Sequence, residues 1–324
     1  MRPITARAAL SALACTLLLS ACGGGDGGTA TPTANPGTGT DAGTNPGNNA
    51  GNNAGNNAGT DTGTQPPASD PAHNPASDPA SVAGELLPSL STPQPGSTAA
   101  VGNGSEGVWY DASGASLVDP TGRFVRADAN GAVSGGFQFA GTSWTLTPDT
   151  ILEYQYAYPL TGSGVLIAGT KLSGFYQKTS DSSLTTVNST YDPANALAVE
   201  QKSISGSWTQ DGFAMTIDDD GNLQGTFTAG DKVCALTGTV TLATPGSARN
   251  LYRVTVTPTI AAVPDNQGCS LTVDTAHQGF AAIRFLPVDR SLKVADSSTR
   301  YDRTLALVAT TGTGGYIKMQ MSKQ

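Results

Sequence analysis

The sequence predicts an all-β, antiparallel fold arranged as two tandem small β-barrel or β-sandwich units. Three observations carry this. Apolar and aromatic residues recur with period two along the second half of the chain, as in Leu251-Tyr252-Arg253-Val254-Thr255-Val256-Thr257 and Tyr316-Ile317-Lys318-Met319-Gln320-Met321. Turn clusters separate such runs, among them Asp119-Pro120-Thr121-Gly122, Ala129-Asn130-Gly131 and Pro264-Asp265-Asn266-Gln267-Gly268. Helical periodicity, by contrast, is nowhere sustained long enough to make a helix of ordinary length.

The chain opens on a leader, read as residues 1–21. Arg2 and Arg7 supply positive charge, and Ala8 to Leu19 is an apolar stretch too short to cross a bilayer of roughly 30 Å as a helix. It closes on Leu19-Ser20-Ala21-Cys22. This tetrapeptide resembles the lipobox of bacterial lipoproteins. The resemblance implies that Cys22 becomes the mature first residue, carries a diacylglyceryl group on sulfur and is acylated on its amine, palmitate-type chains holding the protein to the membrane. Gly23, where an Asp would favour the inner membrane, resembles the outer-membrane class. Each buried methylene is worth about 0.8 kcal/mol, and two or more chains anchor stably where one does not.

Residues 22–104 read as the lipidated Cys22 followed by a disordered linker. Between Gly23 and Gly104 there is no Phe, Trp, Tyr, Lys or Arg, and 28 residues are Gly or Pro. Such a segment buries too little apolar surface to offset its ordering entropy. Gly-Asn-Asn-Ala repeats over Gly47 to Ala58, and Pro-Ala-Ser-Asp-Pro-Ala starts at both Pro67 and Pro75; these are low-complexity repeats without an apolar face to stack. A short apolar patch, Val82 to Leu90, interrupts the tether as either a docking segment or a sticky linker.

Two β units follow, residues 105–200 and 201–324, and they read as a duplication. Gly107-Val108-Trp109 matches Gly206-Ser207-Trp208, and Val118-Asp119-Pro120-Thr121-Gly122 matches Ile217-Asp218-Asp219-Asp220-Gly221, each pair offset by 99 positions. In both, Gly-x-Trp opens a strand and Asp-x-x-Gly closes a turn, the Asp capping and the Gly supplying positive φ. The tryptophans read as core plugs. The units could stand as separate barrels or sandwiches or as halves of one structure. The whole resembles β-rich bacterial lipoproteins of unassigned function, a resemblance that implies no catalytic residue.

With Cys15 lost in the leader and Cys22 lipidated, Cys234 and Cys269 remain, and outside the cytoplasm they are expected to pair as a disulfide. Tyr154, Tyr156 and Tyr158 form the candidate binding face: period two places all three rings on one side of a strand, where amphipathic rings grip sugars, peptides or proteins, or else fill the core.

The remaining chemistry is sparse. Seventeen basic residues against 25 acidic give a net charge of −8, which argues against nucleic acid. Asp218-Asp219-Asp220-Gly221-Asn222 lacks the ligands of a calcium loop at either end and reads as a hairpin turn, so no metal and no cofactor are expected. No Gly-x-Ser-x-Gly elbow occurs, and His277 beside Asp274 reads as a polar turn residue. The expectation is therefore a non-enzymatic, lipid-anchored outer-membrane protein facing the periplasm or the cell surface, its β region binding a protein or carbohydrate partner. A structural tether is the alternative, and a hydrolase using scattered carboxylates a third reading.

Overall fold

The computed structural model describes residues 84–112, 114–129, 131–287 and 300–324. The expected leader, Cys22 and most of the expected linker lie outside the described residues. The first barrel is built from β1 (Gly107–Asp111), β2 (Gly114–Val118), β3 (Arg123–Asp128), β4 (Gly131–Ala140), β5 (Ser143–Leu146), β6 (Ile151–Tyr154), β7 (Tyr156–Ile167), β8 (Lys171–Lys178) and β9 (Thr185–Tyr191), all antiparallel. It closes through Trp109 opposite Tyr191. β5 and β6 both lie between β4 and β7, at opposite ends of them, so together they form one broken stave and the barrel has eight.

The second barrel repeats this plan with unbroken strands: β10 (Gly206–Gln210), β11 (Phe213–Ile217), β12 (Asn222–Ala229), β13 (Lys232–Leu242), β14 (Tyr252–Ile260), β15 (His277–Pro287), β16 (Tyr301–Thr310) and β17 (Tyr316–Lys323). Trp208 opposite Lys323 closes it. The fold is thus all-β, antiparallel and barrel-forming, as the sequence predicts. Closure leaves neither barrel an open sheet edge.

The duplication extends to individual hydrogen bonds. Trp109 Nε1–H donates to the Ser105 carbonyl at 2.9 Å, and Trp208 Nε1–H to the Ile204 carbonyl at 2.8 Å, each four residues upstream. Both rings are buried in their barrels. Removing an indole of this size from water contributes on the order of 5 kcal/mol. Asp119 Oδ1 accepts the N–H of Thr121 and Arg123, and Asp218 Oδ1 that of Asp220 and Asn222. Gly122 and Gly221 complete these turns at φ 85° and 86°, a region closed to most side chains.

Core side chains come from one phase of each strand: Val133, Trp144, Leu160 and Leu172 in the first barrel, Leu223, Leu236, Val254 and Ile283 in the second. The first barrel also encloses charge. Arg126 is 2% exposed and donates from Nη2 to both Asp111 carboxylate oxygens at 2.9 Å, with Ser116 Oγ 3.1 Å from Nη1.

Outward residues of the two barrels meet in a third cluster, Val108, Leu117, Val125 and Ala132 against Leu251, Phe280, Ala282 and Val308. Arg249 grips Glu106 bidentately at 2.9 Å, and Arg284 Nε donates to Asp192 at 2.8 Å, on the border of this seam. Two asparagines pin the connection between barrels. Asn195 exchanges hydrogen bonds with the Val108 backbone, and Asn250 with that of Ile283 while also donating to the Ala194 carbonyl.

The chain from Gly84 to Gly104, expected as the end of the linker, is packed on the barrels. Glu85 bridges Tyr301 in extended backbone, Leu87 joins the second core, and Gln94 bonds the backbone of Ala196 and Ala198. The Glu85 carboxylate pairs with Arg303, 6% exposed and on the inward phase of β16. A handful of apolar and hydrogen-bonding groups suffices to dock a segment whose composition otherwise reads as disorder-prone.

Candidate functional site

A cleft of about 660 Å³ opens where the barrels meet. Its first wall is the start of β3, the middle of β4 and the break between β5 and β6; the second is formed from β14, β15 and the end of β16.

The break has a local cause. Pro148 has no N–H for the ladder, and the strand leaves the sheet over Thr147-Pro148-Asp149-Thr150. Thr147 N–H donates to the Gly136 carbonyl at 2.8 Å, and Gly136 N–H to Thr150 Oγ1 at 3.3 Å. This packing requires a bare backbone opposite: a Cβ on Gly135 would lie 2.2 Å from Thr150 Oγ1. The matching stave of the second barrel, β14, runs unbroken from Tyr252 to Ile260. The duplicated plan therefore departs from regularity at the cleft wall.

The break presents Asp149 to Arg123. The Thr147 hydroxyl and then the Arg123 guanidinium hold the Asp149 carboxyl below its ordinary range. From the facing wall Arg253 lies over the Phe280 ring, its guanidinium carbon 5.7 Å from the centroid, and reaches Asp119 at 3.4 Å. Asp218, the counterpart of Asp119, spends its second carboxylate oxygen locally on Asn222 Nδ2 at 2.8 Å. In the first barrel that oxygen points instead to the second barrel. Ser134, Thr255, Gln278, Thr310 and Thr311 add hydroxyls and an amide to the lining.

The three tyrosines do not share one strand. Gln155, at φ 61°, reverses the chain, so Tyr154 ends β6 and Tyr156 and Tyr158 begin β7. Tyr154 and Tyr156 are cross-strand partners and project to the same side, so alternation continues unaltered through the reversal and hides it in the sequence. Tyr154 is 48% and Tyr156 67% exposed; Tyr158 packs partly on the core, edge-on to Tyr156 and under Lys178. Glu153, fully buried beside this turn, accepts the Gly314 N–H at 2.9 Å and the Thr311 hydroxyl at 3.2 Å, tying the turn to the β16–β17 loop.

Cys234 and Cys269 form the expected disulfide. It staples the long β14–β15 connection to β13, next to Asn266, whose amide bonds Val233 and Ala261. His277 is wholly buried rather than a surface turn residue. Nδ1 lies 3.1 Å from the Thr275 carbonyl, Nε2 has no hydrogen-bond partner, and burial lowers its pKa. The run from Asp218 to Asn222 is the β11–β12 turn, and among the described residues no three His, Cys, Asp or Glu side chains converge as a metal site. Arg123, Asp149 and Arg253 were not singled out by the sequence; Pro148 within an alternating run is the signal that marks the break.

No protein-family model matches this chain, and comparison with curated proteins finds no match.

Proposed function

We propose that this chain is a lipid-anchored outer-membrane protein, facing the periplasm or the cell surface, whose tandem barrels form a non-catalytic binding module with the inter-barrel cleft as its ligand site. The lipobox-like Leu19-Ser20-Ala21-Cys22 and the following Gly23 support the anchor and the membrane. The observation that carries the binding reading is the broken stave: a regular duplicated barrel is interrupted where the interruption builds a cleft wall. The partner is a carbohydrate or a protein, with the exposed rings of Tyr154 and Tyr156 available as a further contact surface.

The cleft chemistry favours binding over hydrolysis. The carboxylate it presents, Asp149, is held in its ionised form by Thr147 and Arg123, whereas glycoside hydrolysis needs a carboxyl kept protonated near a second one. A purely structural tether would not need the cleft.

Two experiments test the reading. Cys22→Ser should move the protein from the membrane to the soluble fraction; continued retention would overturn the anchor. Glycan and peptide arrays probed with the mature full-length protein should give signals that Thr255→Trp, which fills the cleft, abolishes. Signals indifferent to that change would overturn the site.

A further inference from the structure

Arg123 and Arg253 line the cleft from opposite barrels, and their side chains are 54% and 57% exposed. Each guanidinium has five N–H donors in a planar fork, and its carboxylate partner occupies only part of it. Asp119 is 2% exposed against 57% for Arg253, so what enters the cleft meets the cation and not its counter-ion. At 3.4 Å that pair is also longer than an ordinary charge-assisted bond, leaving the fork open to a better acceptor. Asp149, 57% exposed and paired with Arg123, is the one carboxylate among the lining residues; the rest of the polar lining is neutral, the hydroxyls of Ser134, Thr255 and Thr310 and the amide of Gln278. Two guanidiniums against one lining carboxylate leave the cleft a net positive charge of one, while the chain as a whole carries −8.

We infer that the cleft takes an acidic oligosaccharide, a polyhydroxyl chain whose sugar carboxylates are held by Arg123 and Arg253. This rests on the reading of the cleft as the ligand site and names the ligand class. Planar forks match carboxylates, and hydroxyl and amide groups match sugar hydroxyls. An extended acidic peptide fits less well: peptides on sheets take much of their affinity from main-chain bonds to an open edge, and both barrels are closed.

The test is calorimetric titration of the mature full-length protein with oligogalacturonate and with the same oligomer methyl-esterified, which masks the charge and keeps the hydroxyls. The free acid should bind at least about 10-fold more tightly than the ester, a difference of about 1.4 kcal/mol. Arg123→Gln and Arg253→Gln should each weaken acid binding by about 10-fold. The ester comparison decides even if a variant proves unstable. Equal binding of acid and ester, no binding of the acid, or tighter binding of poly-glutamate would each overturn the inference. Array signals that still depend on an unfilled cleft would, in those cases, leave the binding site standing and remove only the ligand class.

Discussion

Trp109 and Trp208 stand 99 positions apart and make the same bond, indole N–H to the carbonyl four residues upstream, at 2.9 and 2.8 Å. One covalent chain thus holds two copies of one structural solution, and the differences between the copies are informative. The first copy carries a broken stave and a turn aspartate that reaches across the seam; the second carries a disulfide and a long connection.

Replacing either tryptophan with alanine should cost about 3–5 kcal/mol, the range for large aromatic deletions in a packed core. Denaturant unfolding followed by circular dichroism measures it. A loss below about 1 kcal/mol for either would show that the ring does not plug its barrel.

Reduction of Cys234–Cys269 should lower stability by about 3–4 kcal/mol, the chain-entropy value for a loop of 35 residues. The comparison is unfolding with and without dithiothreitol, with Cys234→Ala/Cys269→Ala as the control. Equal midpoints in both conditions would contradict the assignment of a stabilising staple.

His277 predicts acid sensitivity. Burial lowers its folded pKa below the ordinary 6.5, so below that value the unfolded chain binds a proton that the folded chain refuses. Stability is then lost as pH falls from about 6.5, with a slope approaching 1.4 kcal/mol per pH unit. Glu106, raised mainly by burial, has the opposite sign: its contribution declines as pH rises above the ordinary carboxylate range. Comparing wild type with His277→Gln between pH 7 and 5 isolates the histidine. The variant should show the flatter profile, and parallel profiles would refute the assignment.

Gly135→Ala should destabilise by about 1–3 kcal/mol, because its Cβ would fall 2.2 Å from Thr150 Oγ1. The pair Gly135→Ala/Thr150→Gly should recover part of the loss by opening that space. Thermal melts of the single and double variants decide, and no recovery would place the strain elsewhere.

The barrel class was legible because alternation, turn clusters and the spacing of Gly-x-Trp and Asp-x-x-Gly are all local or repeated signals. The disulfide followed from the cysteine count together with the compartment the sequence leads one to expect. The cleft was not legible, since Arg123 and Arg253 are 130 positions apart and nothing local ties them. Gln155 was hidden for a geometric reason: partners across a tight reversal share a face, so the tyrosine alternation persists through it. His277 was misread because its neighbours Thr275 and Asp274 look like a turn, while its own phase on β15 points it inward.

Glu85 clasped by Arg303 has a mechanical corollary. Among the described residues, the segment that leads into the first barrel is fastened at Glu85 to the C-terminal barrel, although that barrel comes second in the sequence. Tension arriving along the polypeptide from the amino end would therefore bear on β16 at the Glu85–Tyr301 bridge before it reached β1. The order in which the molecule feels a pull is the reverse of the order in which it is synthesised.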